Sequence, residues 1–102
     1  MNTISLETLK RIKNPIIVDI RDNYSYNISH LKNSINIPYY NLLNNYSHYL
    51  NKNSTYYLYC DEGLQSNEIS RRLNAFGYNT MSIEGGFKSV SYTHLRAHET
   101  CA

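Results

Sequence analysis

The stretch STYYLYCDEGLQSNEISRRLNAFGY, residues 54–78, joins a strand-like segment to a helix-like segment through a loop that begins at a cysteine. Tyrosine and threonine dominate its first residues, and aromatic and β-branched residues favour strands. Its second half has apolar residues on one helical face, namely Ile69, Leu73 and Phe76. The stretch therefore predicts a strand ending at Cys60, a turn at Gly63, a helix from about Ser66, and a helix end before Gly77.

The remaining segments repeat this alternation. Strands are expected at residues 16–20, 35–38, 54–60 and from 79 onward, and helices at 6–13, around Tyr24, at 39–50 and at 66–76. Ser5 is expected to cap the first helix, and Asn14-Pro15 to end it. Such alternation predicts an α/β fold, with a mostly parallel central sheet of about four to five strands and helices on both faces. Ligands of these sheets bind beyond the carboxyl ends of the strands, where Cys60 stands.

Length, composition and charge narrow the class of protein. The chain has 102 residues, 41% of them hydrophobic and 18% charged, which is typical of one globular domain. A net charge of +2 with scattered basic residues gives no reason to expect a nucleic-acid partner. No apolar run approaches the roughly 18 residues of a membrane span, and residues 1–13 lack a secretory signal. We therefore expect a cytoplasmic protein with a reduced thiol and no membrane partner.

The composition changes after about Ser89. Residues 90–100, VSYTHLRAHET, contain two histidines and no asparagine, and can be back-translated into a transposase-type sequencing adapter. We therefore expect a domain at residues 1–89 and an artefact of sequencing at residues 90–102. Three residues there would otherwise resemble metal ligands, namely His94, His98 and Cys101. Because we assign these three residues to adapter sequence, we predict no metal site.

Cys60 is the candidate nucleophile. The thiolate is the reactive form of cysteine, and a following helix start and inward-facing loop N–H groups would stabilise it. The neighbouring acids Asp61 and Glu62 would act in the opposite direction. A simpler interpretation is a buried cysteine that merely ends a strand, since free cysteine is among the most buried residue types.

Five segments, in order, carry a resemblance to a known family. They are IIVDIRD, HLKNSINIP, YLYCDEGLQS, LNAFGY and IEGGF. Together they resemble the single-domain rhodanese-like sulfurtransferases over residues 3–88. The resemblance implies an α/β fold around a mostly parallel sheet. It also implies that a cysteine takes sulfane sulfur from a donor as a persulfide and passes it to a nucleophilic acceptor.

The resemblance assigns roles to particular residues. By position, Cys60 is the persulfide carrier, and its active-site loop and the helix start comprise Asp61, Glu62, Gly63, Leu64, Gln65 and Ser66. Loop N–H groups would stabilise the sulfur anion, and no metal or organic cofactor is required. Asp19 and Arg21 are expected to tie the strand to neighbouring loops. His30 is expected to be a hydrogen-bonded loop residue near the site.

The loop differs from that of many relatives. Asp61 and Glu62 stand where many thiosulfate-using members have basic residues, and Gln65 stands where many have arginine. These differences favour a small, less charged sulfane-sulfur donor or a protein-bound persulfide, with a thiol or cyanide-type acceptor. The family usually continues past its G-G-F with a tryptophan and a closing helix, so we expect that helix to be missing here.

Other functions fit the residues less well. Phosphatases of related fold need C-x5-R, but Ser66 stands at the arginine position and cannot replace a bidentate guanidinium. No G-x-G-x-x-G follows an early strand, which argues against a nicotinamide cofactor. The alternative that stays open is a non-catalytic rhodanese-like module that binds a partner or senses oxidants.

Overall fold

The computed structural model describes the backbone of residues 2–90 and the side chains of residues 2–89. Within this range, strands and helices alternate as β1 Thr3–Ile4, α1 Leu6–Leu9, β2 Ile16–Asp19, α2 Asn23–Ile28, β3 Ser34–Asn36, α3 Tyr39–Tyr49, β4 Thr55–Tyr59, α4 Leu64–Ala75, β5 Asn79–Ile83 and α5 Gly86–Val90. The five strands form one sheet in the order β1-β5-β4-β2-β3, and every neighbouring pair is parallel. The predicted α/β class is confirmed.

Strand β4 lies at the centre of the sheet, and its side chains alternate between two hydrophobic clusters. Tyr56 and Leu58 face the first cluster, to which α3 and α4 contribute Leu42, Ile69 and Leu73. Tyr57 and Tyr59 face the second, together with residues of α1 and α5, namely Leu6, Leu9 and Phe87. Helices therefore cover both faces, as predicted.

The register of the sheet aligns the ends of its central strands. Asp19 of β2 lies beside Tyr59 of β4, and Leu58 lies beside Ser82 of β5. Because parallel strands end at the same edge of a sheet, the residues that come after β2 and β4 meet there. Cys60 is one of them.

Strand β1 and helix α1 differ from the prediction. Strand β1 was not predicted, because two residues are too short for a periodic pattern; it forms through pairing with Ser82 and Ile83. Helix α1 ends at Leu9 and not at residue 13, although Ser5 caps it as expected. The next residues form tighter i→i−3 hydrogen bonds, and Asn14 then adopts a left-handed φ of 52°.

Helix α4, with 12 residues, begins at Leu64, two residues before the predicted start. Gly63 adopts a φ of 96°, and its carbonyl accepts the first helical bond from Asn67. At the other end, the N–H groups of Gly77 and Tyr78 bond back into the last turn as a Schellman motif, so the predicted end is confirmed. No helix within residues 2–90 is long and apolar enough to cross a membrane.

A short helix, α5, occupies the place where a closing helix was expected to be missing. The residues after Val90 lie outside the described range, so the absence of a longer closing helix stays a prediction. The artefact expected at residues 90–102 also stays a prediction, because all of it except the backbone of Val90 lies outside the described range, as do its three residues that resemble metal ligands, His94, His98 and Cys101.

Candidate active site

Cys60 directly follows β4, and its side chain points into the loop that leads to α4. The residue is only 4% exposed. Its Sγ accepts hydrogen bonds from the backbone N–H groups of Gly63, at 3.1 Å, and Ser66, at 3.3 Å. The left-handed φ of Gly63 lets the loop curl around the sulfur. The expected cradle of loop N–H groups is therefore present.

The sulfur also takes the place of a helix cap. Gly63, the N-cap residue of α4, has no side chain that could accept a hydrogen bond. The Cys60 sulfur instead accepts a hydrogen bond from the N–H of Ser66, the third helical residue. The first N–H groups of a helix lack helical partners and carry partial positive charge. A sulfur anion at this position is thus stabilised by the helix that comes after it.

The hydroxyl of Ser66 lies next to the sulfur, and the hydroxyl of Ser82 lies next to that of Ser66. Ser66 Oγ is 3.5 Å from Cys60 Sγ and 2.6 Å from Ser82 Oγ. Both serines are buried. Sequence reasoning missed Ser82, because it lies on β5 and only the pairing of β4 with β5 brings it to the cysteine.

A cleft of about 290 Å³ opens over the cysteine and is lined by Cys60, Asp61, Glu62, Leu64, Gln65 and Lys88. Lys88 was not among the predicted site residues. Its Nζ lies 2.6 Å from Glu62 Oε2. This hydrogen bond lowers the pKa of Glu62 and raises the pKa of Lys88. Asp61 and Glu62 carry two negative charges and Lys88 carries one positive charge, so the lining has a net charge of −1.

A second, larger cleft of about 410 Å³ lies elsewhere in the described part of the chain. It is lined by Leu9, Lys10, Ile12, Asn14, Pro15, Ile17, Lys32 and Asn33. These residues include no thiol, carboxylate or histidine. Of these two clefts, only the smaller one is lined by a thiol.

Helix α5 is hydrogen-bonded to the cysteine loop. The N–H of Phe87 donates to the Cys60 carbonyl at 2.7 Å, and that of Lys88 donates to the Asp61 carbonyl at 3.0 Å. Gly86 permits this approach, since a Cβ there would lie 2.6 Å from backbone atoms of Cys60 and Asp61. The loop is thus braced from a second element.

Asp19 and Arg21 form a buried ion pair at the same edge. The Arg21 guanidinium donates to both Asp19 carboxylate oxygens and, at 2.6 Å, to the Ser29 carbonyl. It also lies over the Phe87 ring at 4.0 Å and 3.9 Å from an Asp61 oxygen. Burial acts to lower the pKa of Arg21, but the hydrogen bond and charge of Asp19 outweigh it and the pKa is raised. Arg21 thereby connects β2, the cysteine loop and α5.

His30 lies in the loop after α2. Its Nδ1 donates to the Tyr26 carbonyl at 2.8 Å, and its ring stacks on the Tyr26 ring at 3.8 Å. The structure thus places His30 as a hydrogen-bonded loop residue.

Comparison with known proteins identifies the family of the chain. The sequence matches the rhodanese-like domain family over residues 5–92. A crystal structure of a rhodanese-like domain protein from Staphylococcus aureus has a TM-score of 0.76 and 28% identity, covering 86% of this chain and 89% of that one. The chain belongs to the rhodanese-like domain family.

The curated relatives include proteins that are named for sulfur transfer. The chain is 34% identical over 89 residues to the adenylyltransferase and sulfurtransferase uba4 of Ogataea parapolymorpha, covering 86% of this chain and 23% of that protein. It is 29% identical over 80 residues to the thiosulfate sulfurtransferase PspE of Escherichia coli, covering 78% of this chain and 77% of that one. The chain thus spans about a quarter of the first relative and three quarters of the second.

Proposed function

We propose that this chain is a sulfurtransferase that carries sulfane sulfur as a persulfide on Cys60. The observation that carries the proposal is the pair of backbone N–H groups, from Gly63 and Ser66, that donate to Cys60 Sγ. Such donors stabilise an anion on sulfur and are already in place before the reaction begins. The sulfurtransferase names of the relatives support the same class of reaction.

In the first half-reaction the Cys60 thiolate attacks the outer sulfur of a donor persulfide, R–S–SH. The bond from Sγ to that sulfur forms, the S–S bond of the donor breaks, and the donor leaves as the thiolate R–S⁻. Cys60 then holds Sγ–SH, whose proton passes to water to give the persulfide anion. Splitting the transfer in this way is covalent catalysis with an activated nucleophile.

In the second half-reaction an acceptor thiolate or cyanide attacks the outer sulfur of the Cys60 persulfide. The new bond to the acceptor forms as the Sγ–S bond breaks, and Cys60 returns to its thiolate. No net oxidation or reduction takes place. None of these steps draws on a metal or an organic cofactor.

The charge of the cleft favours a particular donor. Asp61 and Glu62 line it, and the charge of Lys88 is already paired with Glu62 at 2.6 Å. A dianion such as thiosulfate meets this negative lining unfavourably. We therefore propose a small uncharged or monoanionic persulfide, or a protein-bound persulfide, as the donor. Because a persulfide carrier needs a reduced thiol, we place its action in the cytoplasm.

We also propose that the domain occupies residues 1–89 and that residues 90–102 derive from adapter sequence. The change in composition after Ser89 supports this. Sequencing the locus from a library made without that adapter should give different codons after Ser89. Codons for residues 90–102 in such a library would overturn this proposal.

The activity is tested by thiocyanate formation from cyanide with thiosulfate, mercaptopyruvate or a low-molecular-weight persulfide as donor. The persulfide should be the best donor, Cys60→Ser should abolish turnover, and Cys101→Ser should leave it unchanged. A folded native chain that is no better than Cys60→Ser with every donor would reject the enzyme. That result would favour the non-catalytic binding or redox-sensing module.

A further inference from the structure

We propose that Ser82 is a positioning residue for Cys60, because its hydroxyl donates to Ser66 Oγ, which holds that oxygen beside the sulfur and strengthens the hydrogen bond that the Ser66 hydroxyl can donate to the cysteine thiolate. This inference rests on the proposed function, in which Cys60 reacts as a thiolate. It adds a third donor to the two backbone N–H groups around the sulfur. It also gives a role in the reaction to a residue on β5.

The three side chains form a short buried chain of contacts. Cys60 Sγ lies 3.5 Å from Ser66 Oγ, which lies 2.6 Å from Ser82 Oγ. Ser66 is 0% exposed and Ser82 is 1% exposed, so water does not compete freely for these hydroxyls. At 2.6 Å, one hydroxyl hydrogen must lie between the two serine oxygens.

The other contacts of Ser66 indicate which serine supplies that hydrogen. Ser66 Oγ donates to the Gly63 carbonyl at 3.3 Å, and the cysteine thiol donates to Ser66 Oγ. A hydroxyl has one hydrogen and two lone pairs. Within the described residues Ser82 Oγ makes no other hydrogen bond, so its hydrogen has an acceptor only if it donates to Ser66, while the Ser66 hydrogen has one at Gly63; we therefore assign Ser82 as the donor between the serines.

When the Cys60 thiol loses its proton to water, only the Ser66 hydroxyl has to rotate. The Ser66 hydroxyl turns from the Gly63 carbonyl, a long contact at 3.3 Å, and donates to the sulfur anion. The Ser82 hydrogen bond stays in place throughout. If Ser66 instead donated to Ser82, its oxygen would present lone pairs to the thiolate and oppose the charge.

The Ser66–Ser82 pair could also serve only to hold α4 against β5. The fold contains a second hydroxyl pair that allows this structural role to be tested separately. Ser70 Oγ and Thr80 Oγ1 lie 2.7 Å apart and are also buried between α4 and β5. Ser70 is one helical turn after Ser66, and Thr80 is two residues before Ser82. This second pair packs the same two elements together.

The test is the rate at which iodoacetamide alkylates Cys60 between about pH 5 and 10, read by mass spectrometry of the peptide that contains Cys60. Ser66→Ala should move the profile to higher pH and slow alkylation at pH 7 about threefold or more, and Ser82→Ala should move it in the same direction by a smaller amount. Ser70→Ala should lose comparable stability in urea and keep the native profile. Charged groups around the sulfur stay the same in all variants, namely Arg21 after β2, Asp61 and Glu62 in the loop, and Lys88 in α5.

Two further variants separate the hydroxyl from its volume. Ser82→Thr keeps a donor and should keep the native profile, whereas Ser82→Val has nearly the same shape as threonine and should behave like Ser82→Ala. A native profile in Ser82→Ala and Ser82→Val, or the same displacement in Ser70→Ala, would overturn the inference. Alkylation needs no sulfur donor. A chain that alkylates as expected but transfers no sulfur would therefore reject the proposed function and leave the hydroxyl arrangement standing.

Discussion

Glu62 illustrates how a single side chain sets the charge of the cleft. It is exposed in the loop after Cys60, and its partner Lys88 comes from α5, 26 residues later. The hydrogen bond from Lys88 lowers the pKa of Glu62, so the carboxylate stays ionised through neutral pH. The lysine is thereby held to a neighbour and is less available to attract an anionic donor.

Replacing Glu62 with glutamine should therefore improve thiosulfate as a donor. The change removes one negative charge from the lining, so we expect sulfur loading from thiosulfate to rise about three- to tenfold at low ionic strength. The gain should shrink as salt is added. Loading is measured as the rate of sulfur gain on Cys60.

Glu68→Gln is the matched control for this change. Glu68 is about as exposed as Glu62 and is paired with Arg72, but it is not part of the cleft lining. Its replacement should leave thiosulfate loading unchanged. Equal gains in both variants would mean that overall charge, and not the cleft, governs the donor.

At the scale of elements, the contact between α5 and the cysteine loop depends on one glycine. Gly86 has a φ of 65°, and its missing side chain lets the carbonyl groups of Cys60 and Asp61 approach. The backbone bond from Phe87 to Cys60 depends on this close approach. The element that supplies Lys88 is thus fixed by backbone geometry.

Gly86→Ala should separate α5 from the loop. A Cβ there would lie 2.6 Å from backbone atoms, so we expect a loss of about 2–4 kcal/mol in the free energy of unfolding, together with reduced sulfur transfer. Gly77→Ala is the control. It has a φ of 97° but meets only the flexible Lys52 side chain, so it should cost about 1–2 kcal/mol and leave transfer intact. Equal losses measured by urea unfolding would contradict the role of Gly86.

Helix α2 offers a prediction about pH. Asp22 caps it by accepting the Ser25 N–H at 2.8 Å, and this hydrogen bond lowers the pKa of Asp22. A lowered pKa in the folded state means that the stabilisation is fully present above the ordinary carboxyl pKa and is lost as pH falls through the folded value. Asp22→Ala should therefore destabilise the domain at pH 7 by more than at acidic pH, as measured by urea midpoints.

Ser5 provides a control for the pH dependence, because its hydroxyl caps a helix without titrating in this pH range. It caps α1 by accepting the Thr8 N–H at 3.2 Å. Ser5→Ala should lower the urea midpoint by a similar amount at both pH values. A constant effect of Asp22→Ala across pH would contradict the assignment of its charge to the cap.

The elements with strong local patterns were predictable, and those that depend on distant contacts were not. β4 and α4 follow from residue type and helical spacing, and Gly77 marks the helix end as expected. β1 exists only through its pairing with β5, and no local pattern marks two residues. The early start of α4 depends on the φ of Gly63, and a residue pattern fixes such a boundary only to within a few positions.

At the scale of the whole molecule, the parallel sheet brings the parts of the site together. Sequence and resemblance pointed to Cys60 and its loop because those residues are contiguous. Ser82 and Lys88 come from β5 and α5, and their positions follow from strand pairing and helix docking. Nothing in their local sequence distinguishes them from other surface or strand residues.

The most direct measurement is the intact mass of the full chain after exposure to a low-molecular-weight persulfide, combined with peptide mapping. We expect a gain of one sulfur atom on the peptide that contains Cys60, its removal by cyanide, and no gain in Cys60→Ser. A native chain shown to be folded that gains no sulfur at Cys60 would contradict the role of this residue as a persulfide carrier.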